Sequence, residues 1–234
     1  MTTSLDILAG RRALITAAGN YMGPAIAKKF RAAGADVIEH RGDYRDDPSQ
    51  PASVVDAAGH VDILVVNLPG GHEELRDHLR TPAHEQGEEH WQQMFDLIVH
   101  PTMRFVSAVL PQMIERRAGK IIVVTSASPL RGSPLLGAYC AARGAQNAYV
   151  RAVGTEVAPH NIQINAIAQH FTIGGFSEES AEDPQVRTWV EKVVPAGRLA
   201  RGEEQAALAL FLASQDSNFF VGQTFPFAGG WAVT

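Results

Sequence analysis

Ser126, Tyr139 and Arg143 are the residues whose types and spacing could do chemistry together. The Ser126 hydroxyl can donate to a substrate oxygen while Tyr139 accepts that oxygen's proton as a general base. Tyr139 and Arg143 are four residues apart, which is one turn on one face of a helix. A guanidinium there favours the phenolate, because an opposite charge within about 4–6 Å stabilises the ionised form. Arginine keeps its own proton at working pH, so Arg143 can tune Tyr139 but cannot relay a proton. Each residue alone has a plain alternative: Tyr139 as a helix-surface aromatic, Arg143 as a solvated charge, Ser126 as a strand-end cap. The three at this spacing are much harder to attribute to chance. Other chemistries are disfavoured. Ser126 lacks the G-x-S-x-G elbow of a serine hydrolase. The nine histidines show no H-E-x-x-H spacing, and His72, His78, His84 and His90 recur six apart, which does not align them on a helix. No metal is assigned.

A second feature is the turn Thr16-Ala17-Ala18-Gly19-Asn20-Tyr21-Met22-Gly23, which follows the first strand pattern. In α/β folds such a turn cradles a dinucleotide pyrophosphate, and it needs glycines so that the backbone can approach the phosphates. Gly19 and Gly23 are present, but the G-x-G-x-x-G spacing fails. Either the loop is degenerate but working, or Tyr21 projects its ring into the space a cofactor would fill.

The elements that must position these residues alternate along the chain. Strand patterns cover 13–16, 35–39, 61–67, 120–125, 162–167 and 224–227. Helix patterns cover 23–33, about 88–115 with interruptions at Pro101 and Pro111, about 136–158, and 203–213. The run at 120–125 is continuously apolar, as in a strand buried on both faces. This βαβα order predicts an α/β fold: a Rossmann-like doubly wound parallel sheet with helices on both faces, in one domain spanning 1–234. Ser126 then falls at the carboxyl edge of the sheet, where such folds bind ligands. The segment 172–185, rich in Gly, Ser, Glu and Asp, reads as a lid loop.

Composition narrows the partners. Of 234 residues 45% are hydrophobic and 19% charged, which excludes a disordered chain. A net charge of −5 without long runs of one sign argues against nucleic acid or an anionic membrane. No apolar stretch approaches the roughly 18–20 residues of a bilayer span, and the N-terminus lacks a signal-peptide pattern. One cysteine, Cys140, allows no intramolecular disulfide. A cytoplasmic protein is expected.

The motifs resemble a known family. Ser126-x12-Tyr139 is similar to the catalytic pair of the short-chain dehydrogenase/reductase superfamily, which usually has lysine where this chain has Arg143. That superfamily's T-G-x-x-x-G-x-G motif would place glycine at 17, 21 and 23; this chain has Ala17, Tyr21 and Gly23. The superfamily's usual helix asparagine is also missing from the stretch 95–101. Together these features resemble the halohydrin dehalogenases (haloalcohol dehalogenases), a cofactor-independent branch of that superfamily. The resemblance covers essentially the whole chain. It implies a lyase without a nicotinamide cofactor that closes a vicinal halohydrin to an epoxide and runs the reverse with halide or other small anions. Ser126 would hold the hydroxyl, Tyr139 would be the base and Arg143 would tune it. It implies a halide pocket lined by Tyr21 and by the turn Gln169-His170-Phe171-Thr172, and a homotetramer. For His170 a structural or lid role stands level with direct halide contact. An NAD(P)-dependent short-chain reductase with a degenerate cofactor loop and a catalytically silent scaffold stay open. The segment 172–185 and the stretch from about 68 to 84 are expected to shape substrate choice.

Overall fold

The computed structural model describes residues 6–42, 47, 49–68, 79–173 and 181–233. His72, His78, the middle of the expected lid and most of the stretch after Leu68 lie outside the described residues. Six parallel strands form one sheet: β1 (Arg12–Ile15), β2 (Asp36–Glu39), β3 (Ile63–Asn67), β4 (Gly119–Ser126), β5 (Ile162–Gln169) and β6 (Thr224–Phe227). Their order across the sheet is β2-β1-β3-β4-β5-β6. The chain winds one way from β1 to β2 and the other way from β3 onward. The crevice beyond β1 and β3 is therefore the switch point at which such sheets take ligands.

The expected doubly wound architecture is observed, and the strand sequences explain it. Successive side chains alternate between faces. Leu14, Leu64, Val66, Ile121, Val123 and Ile164 join one core, and Ala13, Ile15, Ile63, Val65, Ile122 and Val124 join the other. Both faces are covered, so the strands read as continuous apolar runs. The first face packs against α2 (Gln50–Ala58), against the long helix ending at Arg116, and against α6 (Gly137–Val157). The second packs against α1 (Gly23–Ala32) and α8 (Gly202–Ala213), through Ile26, Phe30, Ala206, Ala209 and Leu212.

Some elements differ from the sequence expectation. Helix α2, the short α5 (Ser128–Arg131) and α7 (Pro184–Val193) were not anticipated. Helix α7 begins inside the segment read as a lid, with Asp183 accepting a hydrogen bond from the Gln185 amide at 2.7 Å as its N-cap. The pattern at 88–115 is not broken by its prolines. It is α3 (Glu88–Met94), a π turn at Phe95–Val99, and α4 (His100–Arg116) with Pro111 inside it. Pro101 has no N–H to give to the carbonyl four residues earlier, and the ladder widens there instead of ending. By length and composition alone the 29-residue stretch Glu88–Arg116 could cross a membrane, which corrects the expectation that no stretch could. Here Met94, Ile98, Phe105, Val106, Val109 and Met113 bury its apolar side in the core.

Candidate active site

Ser126 is the last residue of β4 and is 3% exposed. Its Oγ accepts a hydrogen bond from the Ser128 amide at 3.1 Å, which fixes the hydroxyl and leaves its proton free to donate. Tyr139 lies in the first turn of α6. The entry to that helix is clamped from outside. Gln86 Oε1 accepts from the Ala138 amide at 3.0 Å, while its Nε2 donates to the Thr81 carbonyl at 2.7 Å. A Cβ at Gly137 would stand 2.7 Å from Gln86 Oε1, so a larger residue there would push this side chain aside. The half-buried Tyr139 ring packs with Met94, Ile98, Ala138 and Ala142.

Arg143 stands on the same face one turn later, as expected, but not at the phenol oxygen. Its guanidinium carbon is 5.5 Å from the centre of the Tyr139 ring. A cation at that distance is attracted by the ring's electron-rich face. Arg143 is only 3% exposed. Nη1 donates to the Val124 carbonyl (3.2 Å) and to Gln146 Oε1 (2.9 Å), and Nη2 donates to the Leu68 carbonyl (3.2 Å). Val124 lies near the end of β4 and Leu68 follows β3, so the cation ties the helix to the switch-point edge. No carboxylate among the described residues pairs with it. Its charge is therefore not neutralised.

The turn after β1 keeps the backbone of a glycine loop without the glycines. Ala17 has φ +44° and Tyr21 φ +52°, the left-handed region that L-residues seldom occupy. Of the two glycines that remain, Gly23 has a packing reason. A Cβ at Gly23 would lie 2.6 Å from the Ala18 carbonyl oxygen. Asn67, at the end of β3, holds the loop by donating from Nδ2 to the carbonyls of Ala17 (3.1 Å) and Asn20 (3.0 Å). The Ala17 methyl is buried in the core, and Tyr21 is half-buried, with a side chain where a glycine loop has none. Alanine and tyrosine at these two positions depart from the residues of a glycine loop while the backbone keeps positive φ.

The turn after β5 is reached by register, since Gln169 pairs with Ser126 across the two strands. The Gln169 Oε1 is buried and has no hydrogen-bond partner. The His170 amide donates to the Phe227 carbonyl at 3.0 Å, and its ring stacks near Phe171 (3.9 Å) and Trp231 (4.1 Å). Burial, with the charges of Arg131 and Arg80, pushes the imidazole pKa down to about 4, so the ring is neutral near pH 7. Phe171 has φ +53° and packs on Val190 of α7 and on Val194 just after it. Thr172 is buried and bridges to Ala200. Behind the turn lies a cavity of about 120 Å³ lined by His170, Phe171, Val194, Arg198 and Phe227, among others. Its lining includes His170 and Phe171 but not Tyr21, Gln169 or Thr172. Sequence reasoning missed Trp231 and Trp189, whose rings complete the aromatic cluster around Phe171. It also missed Gln146, although Gln146 stands three residues after Arg143, a readable helical spacing.

A doubly wound parallel sheet with a serine ending the fourth strand and a tyrosine in the next long helix defines a short-chain dehydrogenase/reductase. The chain is an enzyme of that superfamily: residues 43–232 match the family described as enoyl-(acyl carrier protein) reductase. L-xylulose reductase of Bos taurus is 30% identical, over 97% of this chain and 98% of that protein. Other curated relatives of similar identity also bear dehydrogenase or reductase names. Two solved structures bear dehalogenase titles. One, "Dehalogenation enzyme", has a TM-score of 0.85 and 28% identity over 97% of this chain and 100% of that one. The other, a halohydrin dehalogenase (HheC) bound to ethyl (2S)-oxiran-2-ylacetate, has a TM-score of 0.85 and 28% identity over 95% and 98%.

Proposed function

We propose that this enzyme is a halohydrin dehalogenase that works without a nicotinamide cofactor. The observation that carries this reading is the loop after β1, where left-handed backbone at positions 17 and 21 bears alanine and tyrosine. The two solved structures with dehalogenase titles support it. Ser126 donates to the hydroxyl oxygen of a vicinal halohydrin. Tyr139, as phenolate, takes the hydroxyl proton. The freed oxygen forms a bond to the neighbouring carbon as the carbon–halogen bond breaks, giving epoxide and halide. Tyr139 then returns the proton to solvent. Both reacting centres belong to one molecule, so proximity is built into the substrate and no covalent enzyme intermediate is needed. In reverse, Tyr139 protonates the epoxide oxygen while a small anion opens the ring. Arg143, with which no described carboxylate pairs, lies with its guanidinium carbon 5.5 Å from the centre of the Tyr139 ring.

For the halide we assign Tyr21, Gln169, His170, Phe171 and Thr172. Supporting this, the amides of Phe171 and Thr172 donate to no described residue. Amides around a residue of positive φ form concavities that suit anions. The neutral His170 ring presents N–H and ring edges and brings no fixed charge. Such a pocket selects large, weakly hydrated anions by size.

A second reading, an NAD(P)-dependent reductase, is favoured by the names of the curated relatives. One experiment separates the two. Exhaustively dialysed enzyme, given a small bromohydrin and no cofactor, should release bromide stoichiometrically with epoxide, and calorimetry should detect no binding of millimolar NAD(H) or NADP(H). Saturable cofactor binding without bromide release would overturn the dehalogenase.

A further inference from the structure

We infer that Gln146 is a positioning residue: it holds the Arg143 guanidinium against the Tyr139 ring without neutralising its charge. This rests on the reading of Tyr139 as the base.

The Gln146 side chain is 1% exposed and uses both ends of its amide. Oε1 accepts from Arg143 Nη1 at 2.9 Å. Nε2 donates to Thr102 Oγ1 at 2.6 Å and to the Ile98 carbonyl at 3.3 Å. The Thr102 hydroxyl in turn donates to the same carbonyl at 2.7 Å. Every donor in this chain points away from Arg143, so the amide has one workable orientation, with its oxygen toward the cation. The chain ends at the Ile98 carbonyl in the π turn, which accepts from two side chains. The missing superfamily asparagine and the π turn thus meet in one place. A side chain from α6 reaches across to hold the helix that lacks it.

The choice of an amide has an electrostatic consequence. Glutamate at position 146 could accept the same hydrogen bond and would make a buried ion pair with Arg143. Glutamine gives the bond and leaves the charge. The ionisable groups on elements packed against α6 do not supply the missing anion. Glu88, Glu89 and His90 on α3 and Arg131 on α5 make no ion pair with Arg143, and Asp96 of the π turn pairs with His100 at 2.8 Å. Leu68, Val124 and Gln146 contribute only neutral oxygens. The phenolate at Tyr139 is therefore the anion that the site leaves for this cation.

The test compares wild type with Gln146→Glu and Gln146→Met. Phenolate formation at Tyr139 is read from ultraviolet difference absorbance, with Tyr139→Phe in each background as the blank. The pH profile of kcat/KM is read from bromide release. In Gln146→Glu the phenolate should form about one pH unit or more higher than in wild type, because the carboxylate takes up the Arg143 charge. The rising limb of kcat/KM should move with it, and kcat at neutral pH should fall about tenfold or more with little change in KM. Gln146→Met fills similar volume but frees the guanidinium, so the same limb should move upward by less. An unmoved phenolate titration in Gln146→Glu would overturn the inference. So would a wild-type limb and rate in Gln146→Met. Absence of bromide release from wild type would count against the proposed function alone, since the absorbance measurement needs no substrate.

Discussion

In the proposed mechanism the acid–base chemistry at Tyr139 depends on a cation that faces the ring. If that cation favours the phenolate, kcat/KM for halohydrin closure should rise with pH along a limb that Arg143→Ala moves upward. The variant should also lose neutral-pH activity by tenfold or more while its circular dichroism is unchanged. Coincident limbs would remove Arg143 from the mechanism, and Tyr139→Phe should leave no measurable turnover. His170 yields a stability prediction. Its folded pKa is about 4, lowered chiefly by burial, whereas an unfolded histidine titrates near 6.5. Between these values the unfolded chain binds a proton that the native chain does not. Stability from this residue is thus full above pH 6.5 and declines as pH falls toward 4. The loss should be on the order of 2 kcal/mol after discounting for screening. Urea unfolding of wild type and His170→Gln at pH 7.5 and 4.5 checks this, and equal losses in the two proteins would contradict it. The shared helix face of Tyr139 and Arg143 was legible because spacing settles which groups lie one turn apart. The seat of Arg143 against the ring was not, because it depends on the carbonyls of Val124 and Leu68, which arrive from two strands distant in sequence.

At the scale of elements, the loop after β1 separates two uses of glycine. Gly23 is needed for packing, so Gly23→Ala should cost about 2 kcal/mol or more, since its Cβ would meet the Ala18 carbonyl at 2.6 Å. In thermal unfolding that is a fall of roughly 4–8 °C. Ala17→Gly should behave oppositely. Removing a left-handed alanine recovers roughly 1 kcal/mol of backbone strain, offset in part by one lost buried methyl. Its melting temperature should match or exceed wild type, and a fall as large as that of Gly23→Ala would show that the alanine side chain matters more than its strain. The strands were readable because both sheet faces are buried and the apolar runs are unbroken. Helices α2 and α7 were not, because each is only nine or ten residues long with a proline in its first turn. The π turn was hidden as well. Proline at position 101 signals an interrupted ladder, but only packing against α6 decides that it widens instead of ending.

At the scale of the molecule, most of the apolar residues on α3, the π turn, α4 and α6 are buried or half-buried. Met94, Ile98, Val106, Ala142 and Val150 are buried within the single chain. What remains outside is smaller: Trp91 at 41%, Met103 at 39%, and the exposed Ala148. Phe219, fully exposed before β6, is a separate apolar point. Subunit pairing would cover these positions, and a symmetric homotetramer is the expected assembly. Light scattering at micromolar concentration should report four times the chain mass, and a monomer would refute it. By itself, the sequence determined the sheet, the carboxyl edge where Ser126 stands, the departures from a glycine loop at 17 and 21, and the shared helix face of Tyr139 and Arg143. All of these are local consequences of side-chain period and backbone sterics. Only the tertiary structure decided that Arg143 is buried with no carboxylate beside it among the described residues, that Gln146 and the π turn hold it, and that His170 is neutral within an aromatic cluster. Those properties depend on which carbonyls, rings and charges converge from distant segments, and a buried charge is governed by everything that surrounds it rather than by its neighbours in the chain.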